Sequence, residues 1–119
     1  MRISVITVTL NCGSTIERTI KSVISQQNTN YEFIIIDGKS TDGTCDIIEK
    51  YMDNITYYVS EPDQGIYYAM NKGIVQATGD YLIFLNGDDY FVDDTVLARI
   101  KKHCTGENIV IGSSLRNEK

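Results

Sequence analysis

Short runs of β-branched and apolar residues alternate along the chain with segments whose apolar residues repeat at helical spacing. Residues 3–9 are apolar or β-branched at nearly every position, which is typical of a strand covered on both faces. Residues 33–36 and 81–85 have the same character, and a shorter strand is predicted over residues 55–59. Strands and helices that alternate through short loops predict an α/β domain with a doubly wound, mainly parallel sheet, Rossmann-like, with helices on both faces.

Two helices are predicted from patterns at their N-terminal ends. The stretch from Ser14 to Glu17 has the form of a capping box, and apolar residues at helical spacing continue to about Gln26. Ser40 or Thr41 is the expected cap of a second helix after the second strand. Each of these helices follows a strand directly, as the crossovers of a parallel sheet require.

Two further helices follow the later strands. The third is predicted from apolar residues in helical register, namely Ile66, Met70, Ile74 and Ala77. The fourth is expected over residues 94–103, before a last strand over residues 108–111. No repeat, low-complexity tract or linker interrupts the pattern, so residues 1–119 are expected to form a single domain.

The charge of the chain limits the classes of ligand. A net charge of −5 argues against nucleic acid as a partner, because binding to a phosphate backbone needs clustered Lys and Arg. A phosphate ligand would have to be neutralised by other means. Backbone N–H groups at helix starts and a metal ion held by carboxylates are the two means that the sequence offers.

The cysteines and the first residues bear on the cellular compartment. The 3 cysteines have no C-x-x-C spacing, so neither a disulfide framework nor a zinc site is predicted, and a reducing cytosol is the simplest interpretation. The apolar run at the start is too short for a signal peptide or a transmembrane segment. We expect a cytoplasmic protein, and any membrane association would be peripheral, on the cytoplasmic face.

Polar residues collect where the predicted strands end. The four strand ends are followed by residues 9–11, 37–40, 60–65 and 86–89. The carboxyl ends of parallel strands meet at one edge of a sheet, and ligands of doubly wound folds bind beyond that edge. The sequence therefore predicts a ligand site there.

Asp88 and Asp89 follow the clearest predicted strand and Gly87. Adjacent carboxylates repel each other, but a hard cation such as Mg²⁺ or Mn²⁺ that bridges them to phosphate oxygens removes the repulsion. A solvated turn before a helix would explain the same pair. Both interpretations stay open from these residues alone.

Asp37 ends the second predicted strand, where nucleotide-binding folds place an acidic group against ribose or base. A turn residue before a helix is the alternative. The stretch from Glu61 to Gly65 is a polar loop that could close over a ligand.

Several segments, in this order and spacing, resemble those of glycosyltransferase family 2, enzymes of the GT-A fold that use nucleotide-diphosphate sugars. The resemblance covers nearly the whole chain. It rests on the sequences VTLN at residues 8–11, DGKSTDGT at 37–44, GIYYAMNKG at 65–73, ATGDY at 77–81 and FLNGDD at 84–89. The EPDQG sequence at residues 61–65 is most similar to the members that build bacterial surface polysaccharides.

The resemblance implies a role for each matched segment: the base pocket at residues 8–11, a nucleoside contact at Asp37, and the cation and sugar diphosphate at Asp88 and Asp89. The substrate-binding residues implied in this way are Val8, Thr9, Asn11, Asp37, Asp63, Gly65, Asn71 and Asp88. The implied metal ligands are Asp88 and Asp89, and the implied cofactor is Mn²⁺ or Mg²⁺.

The activity implied is transfer of a sugar, with inversion, from a nucleotide-diphosphate sugar to a hydroxyl of a saccharide or lipid-linked acceptor in cell-surface polysaccharide biosynthesis. A UDP-sugar is among the candidate donors. In this family the carboxylate that deprotonates the acceptor, and most of the acceptor site, lie further along than residue 119. We therefore expect this chain to bind donor and metal but to turn over slowly or not at all by itself. Whether two chains form a homodimer stays open.

Three positions depart from the pattern of the family. Many members have a second Asp where this chain has Gly38 and a Tyr where it has Leu10. An Arg that often precedes the helix Asn is replaced by Met70, which removes one cation.

Three other functions share features with this pattern. A sugar nucleotidyltransferase usually has a Gly-rich basic loop after the first strand, and residues 9–13 are not one. A receiver-like signalling domain would have its acidic pair after the first strand, where this chain has Thr and Asn. A non-catalytic nucleotide-sugar-binding module fits the same motifs and differs only in turnover.

Overall fold

The structure is a computed structural model and describes residues 2–102 and 110–111. Its strands form one parallel sheet in the order β3-β2-β1-β4-β5. They are β1 (Ile3–Thr9), β2 (Tyr31–Asp37), β3 (Tyr57–Ser60), β4 (Tyr81–Phe84) and β5 (Val110–Ile111). Strands β2 and β3 are added on one side of β1, and β4 and β5 on the other. The prediction of a doubly wound, Rossmann-like sheet is therefore confirmed.

Helices cover both faces of this sheet, as predicted. They are α1 (Ile16–Ile24), α2 (Thr44–Glu49), α3 (Ile66–Gln76) and α4 (Val96–Lys102), with a 3₁₀ turn at Met52–Asn54. Residues of α1, α2 and α4 share one buried cluster with Val5, Phe33 and Ile83 of the sheet. On the opposite face, α3 packs against the alternate residues of β1 and β2, such as Ile6 and Ile34.

The apolar residues in register on α3 coincide only in part with the face that the helix buries. Ile66 and Ile74 are 48% and 41% exposed, whereas the small residues Ala69 and Gly73 are buried. A Cβ added at Gly73 would lie 2.4 Å from Cγ2 of Ile6, so the helix backbone lies directly on β1. Met70 and Ala77 pack against the sheet, but close approach of the helix selects small residues at Ala69 and Gly73 and leaves Ile66 and Ile74 largely outside.

The predicted N-terminal caps of α1 and α2 are wrong. Thr15 precedes α1 and makes no capping bond, and its hydroxyl donates instead to the carbonyl of Gly87 at 2.9 Å. Helix α2 begins at Thr44, after Gly43 with φ of +96°, and not at a cap on Ser40 or Thr41. The Ser40 hydroxyl donates to Asp37 at the end of β2 and accepts a hydrogen bond from the Asn11 N–H after β1. These other contacts take the hydroxyls that helix capping would have used.

Other boundaries shift by a few residues, as frayed ends commonly do. Helix α1 ends at Ile24, two residues before the predicted Gln26, and β3 is Tyr57–Ser60 where residues 55–59 were predicted. Helix α4 begins at Val96, and the predicted end at His103 lies outside the described residues. Strand β5 is described at Val110–Ile111, and residues 108–109 of its predicted span are likewise outside.

A buried polar cluster fastens the amino end of the sheet. The carboxylate of Glu32 on β2 accepts bonds from the Ser4 hydroxyl at 2.6 Å and from the Thr78 backbone N–H at 2.6 Å. Burial raises the pKa of Glu32, but these bonds and the nearby charge of Arg2 outweigh it, so the net pKa lies below its ordinary value. The cluster joins β1, β2 and the segment that leads into β4.

In the part of the chain that the structure describes, no helix has both the length and the apolar character needed to span a bilayer.

Candidate functional site

A cavity of about 490 Å³ opens at the carboxyl edge of the sheet. It lies among the ends of β1, β2 and β4, the start of α1, and the loop and first turn of α3. Its lining residues are Val8, Thr9, Leu10, Asn11, Cys12, Ser14, Thr15, Gly38, Asp63, Gly65, Ile66, Ala69, Asn86, Gly87 and Asp88. The volume is within the range of small-molecule sites.

Gly87 lets the end of β4 lie close to β1. Its backbone N–H donates to the carbonyl of Val8 at 3.0 Å. An added Cβ would lie 2.7 Å from the Cys12 sulfur and 2.9 Å from Cγ2 of Thr9. A side chain at this position would therefore push the two strand ends apart and alter the floor of the cavity.

Asp37 lies beside the cavity and does not line it. It is 0% exposed, and its carboxylate accepts bonds from the Thr9 hydroxyl at 2.6 Å, the Ser40 hydroxyl at 2.6 Å and the Ser60 hydroxyl at 2.8 Å. Burial raises the pKa of Asp37, but these donors outweigh it and hold the net pKa below its ordinary value. The geometry favours a structural role for Asp37, which holds three strand ends together, over direct contact with a nucleoside.

Asn11 lines the cavity and also fixes its wall. It adopts the left-handed conformation, with φ of 54°, and its side-chain oxygen accepts a bond from the Thr41 N–H at 2.9 Å. The Ser40 hydroxyl accepts a bond from the Asn11 N–H at 2.8 Å. Asp42 continues this connection by accepting a bond from the Gly13 N–H at 2.9 Å. The loops after β1 and β2 are therefore held against each other by side chains.

Asp63 brings a carboxylate to the β2 side of the cavity. Its Oδ1 accepts a bond from the Gly65 N–H at 3.2 Å. Its Oδ2 is buried and has no hydrogen-bond partner among the residues that the structure describes. That oxygen lies against Gly38, where an added Cβ would be 3.4 Å away.

Asp88 and Asp89 occupy different environments, although both were predicted to bind a cation. Asp88 is exposed and lines the cavity on the β4 side, whereas Asp89 is 0% exposed and is not part of the lining. The Thr19 hydroxyl on α1 donates to the backbone carbonyl of Asp89. Joint cation binding by the two side chains stays a prediction, and Asp88 is the one placed to reach a ligand.

The charge of the lining bears on which ligands fit. Its charged side chains are the carboxylates of Asp63 and Asp88, and no Lys or Arg is among the described lining residues. No group of three or more His, Cys, Asp or Glu side chains that could hold a metal occurs within residues 2–102 and 110–111. Asp88 suits a Mg²⁺ or Mn²⁺ ion that takes its remaining ligands from phosphate oxygens and water, which is how such ions commonly bind with nucleotides.

The structure brings most of the predicted substrate-binding residues to one cavity. Those that line it are Val8, Thr9, Asn11, Asp63, Gly65 and Asp88. Asp37 is buried beside it, and Asn71 is exposed on α3 outside the lining. The lining also includes Cys12, Ser14, Thr15 and Asn86, which were not among the predicted site residues, although Asn86 belongs to the same polar strand end as Asp88.

Known proteins resemble this chain in sequence. A "PGL/p-HBAD biosynthesis glycosyltransferase" of Mycobacterium bovis is 36% identical over 100 residues, which are 82% of this chain and 39% of that protein. The "putative teichuronic acid biosynthesis glycosyltransferase TuaG" of Bacillus subtilis is 39% identical over 95 residues, 77% of this chain and 38% of that protein. The chain thus spans about two fifths of the length of these curated relatives.

A solved structure has the same fold. The structure of residues 1–349 of TarS from S. aureus, in complex with UDP-GlcNAc, superposes with a TM-score of 0.78 at 27% identity. The superposition covers 86% of this chain and 30% of that chain. A family model described as "Glycosyl transferase family 2" matches residues 4–119. With this match over nearly its whole length, and with the GT-A fold around its cavity, the chain belongs to glycosyltransferase family 2.

Proposed function

We propose that this cavity binds the nucleotide-diphosphate sugar donor of a glycosyltransferase that acts in cell-surface polysaccharide biosynthesis. The observation that carries the proposal is a cavity at the carboxyl edge of the sheet with carboxylates at opposite sides and no cationic side chain in its described lining. Family membership and the names of the relatives support it. The complex of TarS with UDP-GlcNAc supports a nucleotide sugar as the ligand class.

The order of the strands suggests how the donor lies. Gly38 and Asp63 are on the β2 side of β1, and Asp88 is on the β4 side. We place the nucleoside on the β2 side and the diphosphate near Asp88. A divalent cation held by Asp88 and the diphosphate oxygens would stabilise the negative charge of the leaving group.

The residues of this chain then bind and orient the donor. The hydrogen-bonded loops after β1 and β2 hold the lining in place before ligand binds, which lowers the ordering cost of binding. A sugar transfer also needs a base that takes the proton from the acceptor hydroxyl. In this proposal both lining carboxylates serve the donor and its cation, so neither is left to act as that base, and residues 1–119 act as the donor-binding domain for transfer to a saccharide or lipid-linked acceptor.

We also propose where in the cell the protein acts. Polysaccharide precursors are assembled from nucleotide sugars, and we place the protein in the cytoplasm, with any contact to the membrane peripheral. A homodimer is the assembly to look for, and sedimentation velocity of the purified chain would show it.

Calorimetric titration of UDP, with and without Mn²⁺, tests the donor site. We expect the wild-type chain to bind UDP in the presence of Mn²⁺, and Asp88→Asn to lose most of the metal-dependent part. Asp53→Asn is the matched control, because this exposed Asp is in the 3₁₀ turn Met52–Asn54 and is not among the lining residues. The proposal is wrong if UDP, GDP, CDP and ADP all fail to bind under both conditions.

A non-catalytic nucleotide-sugar-binding module is the second candidate. The same lining favours it, because both of its carboxylates are assigned to donor binding and neither is left to act as the base. Release of UDP from UDP-sugars, measured with the purified chain and added saccharide acceptors, separates the two functions. Turnover well above the rate without protein supports the complete enzyme, and binding without turnover supports the module.

A further inference from the structure

We infer that Asp63 selects the nucleobase of the donor, by accepting a hydrogen bond from a ring N–H of the base. The inference rests on the proposed function and deepens it, because it names the chemical class of base that the cavity takes. Uracil and guanine carry a ring N–H next to a carbonyl. Cytosine and adenine have a bare ring nitrogen at the corresponding edge.

The first support is the hydrogen bonding of the carboxylate. Asp63 Oδ1 accepts a bond from the Gly65 N–H at 3.2 Å, which fixes the side chain to its own loop. Asp63 Oδ2 is buried without a hydrogen-bond partner in the described part of the chain, while Asp63 itself lines the cavity. A buried acceptor without a donor is unfavourable, so a ligand that brings a donor gains affinity from this atom.

The second support is the space beside the carboxylate. A Cβ at Gly38 would lie 3.4 Å from Asp63 Oδ2 and 3.5 Å from Cδ1 of Leu10. With no side chain at residue 38, the space between the carboxylate and the apolar Leu10 side chain, which is 61% exposed, has room for a methyl-sized group, and all three residues line the cavity. An apolar surface beside a carboxylate suits a planar heterocycle, whose faces are apolar and whose edge carries the N–H.

The third support is charge. The phosphates of the donor are anions, so they are not expected next to Asp63, and Asp88 on the other side of β1 is where a cation can join them. The neutral base is the part of the donor that tolerates a carboxylate without a cation. A bare ring nitrogen would present its lone pair to Asp63 Oδ2, so repulsion as well as attraction separates the two classes of base.

The test measures the dissociation constants of UDP, GDP, CDP and ADP with Mn²⁺ for the wild-type chain and for Asp63→Asn. We expect the wild-type chain to bind UDP or GDP at least about tenfold more tightly than CDP and ADP, as expected for one charge-assisted hydrogen bond. In Asp63→Asn the preferred nucleotide should weaken about tenfold, while CDP and ADP should hold or improve, because the amide can donate to a bare ring nitrogen.

A second variant returns a carboxylate to the same space. The backbone of Gly38 is outside the left-handed region, and the space around an added Cβ is ordinary van der Waals distance, so a side chain is tolerated there. The double variant Gly38→Asp with Asp63→Ala should therefore recover most of the base preference that Asp63→Ala alone loses. Glu61→Gln, an exposed change in the same loop, is the control and should keep the wild-type ratios.

The possible failures are distinguishable. If the wild-type chain binds none of the four nucleotides, the proposed function is wrong. If it binds them but Asp63→Asn leaves every ratio of dissociation constants unchanged, Asp63 does not read the base and only this inference is overturned. Equal weakening of all four nucleotides would likewise overturn it, because that pattern indicates a contact with the ribose hydroxyls common to all four.

Discussion

The Thr9 hydroxyl donates to Oδ1 of Asp37 at 2.6 Å across the ends of β1 and β2, where the two residues are direct register partners. The same carboxylate accepts bonds from Ser40, just after β2, and from Ser60 at the end of β3. One buried side chain therefore fixes the edge of the sheet at which the cavity opens. Its removal should affect the stability of the fold before it affects any ligand.

We expect Asp37→Asn to lower the free energy of unfolding by about 2–4 kcal/mol, because an amide NH₂ would face donors that now meet a carboxylate oxygen. Urea denaturation followed by far-UV circular dichroism measures the change. Glu49→Gln, an exposed change on α2, should stay within about 0.5 kcal/mol of wild type. A similar small effect for Asp37→Asn would contradict the structural role given to this residue.

The buried carboxylate of Glu32 predicts a pH dependence of stability. Its folded pKa is depressed, so its contribution is fully present above the unfolded value of about 4.3 and is lost as the pH falls through the folded value. The free energy of unfolding of the wild-type chain should therefore decline more steeply below about pH 4.3 than that of Glu32→Gln. Urea midpoints measured from neutral pH downward test this, and parallel curves for the two proteins would show the expectation to be wrong.

Gly73→Ala tests the close packing of α3 on β1. Replacing Gly by Ala inside a helix normally stabilises it by about 1 kcal/mol. Here we expect a loss of about 1–3 kcal/mol, because the new Cβ would meet Cγ2 of Ile6, which is fully buried. Thermal and urea unfolding give the sign, with the exposed Val75→Ala on the same helix as control. Stabilisation by Gly73→Ala would mean that the helix lies further from the sheet.

Asp88→Ala and Asp89→Ala should differ in stability. The exposed Asp88 should change the free energy of unfolding by less than about 0.5 kcal/mol, while the fully buried Asp89 should lower it by about 1–3 kcal/mol. Urea denaturation of both variants without metal makes the comparison. Metal-dependent binding should therefore be measured with the Asp88 variant, because a loss of binding in the Asp89 variant would not be distinguished from unfolding. Equal stability of the two variants would contradict the difference in burial.

The strands and their order of connection were predictable because local residue patterns carry them. The runs at β1, β2 and β4 are apolar on both faces, and only a sheet covered by helices on both sides accommodates such runs. The gathering of polar residues at one edge followed from parallel topology alone. That edge holds the cavity.

The division of work among the acidic residues could not be predicted in the same way. Asp37 stands at a sequence position typical of a nucleoside-binding residue. In the structure its carboxylate accepts hydrogen bonds from three hydroxyls, which lie at separate strand ends or loops. Asp63, in a polar loop, lies against Gly38. Apart from the bond between Ser40 and Asp37, these contacts join residues distant in the chain, such as Thr9 and Asp37 at a separation of 28 positions, and periodicity does not report such contacts.

The sequence by itself determined the class of fold, the family and the edge of the sheet where the cavity opens, because hydrophobic periodicity and the order of short motifs are local properties. Only the tertiary structure decided that α3 buries Ala69 and Gly73, that Asp88 faces the cavity while Asp89 is buried, and that Asp63 lies against Gly38. Those outcomes depend on how closely the backbones approach each other. That distance is set by packing in the folded protein and not by local sequence patterns.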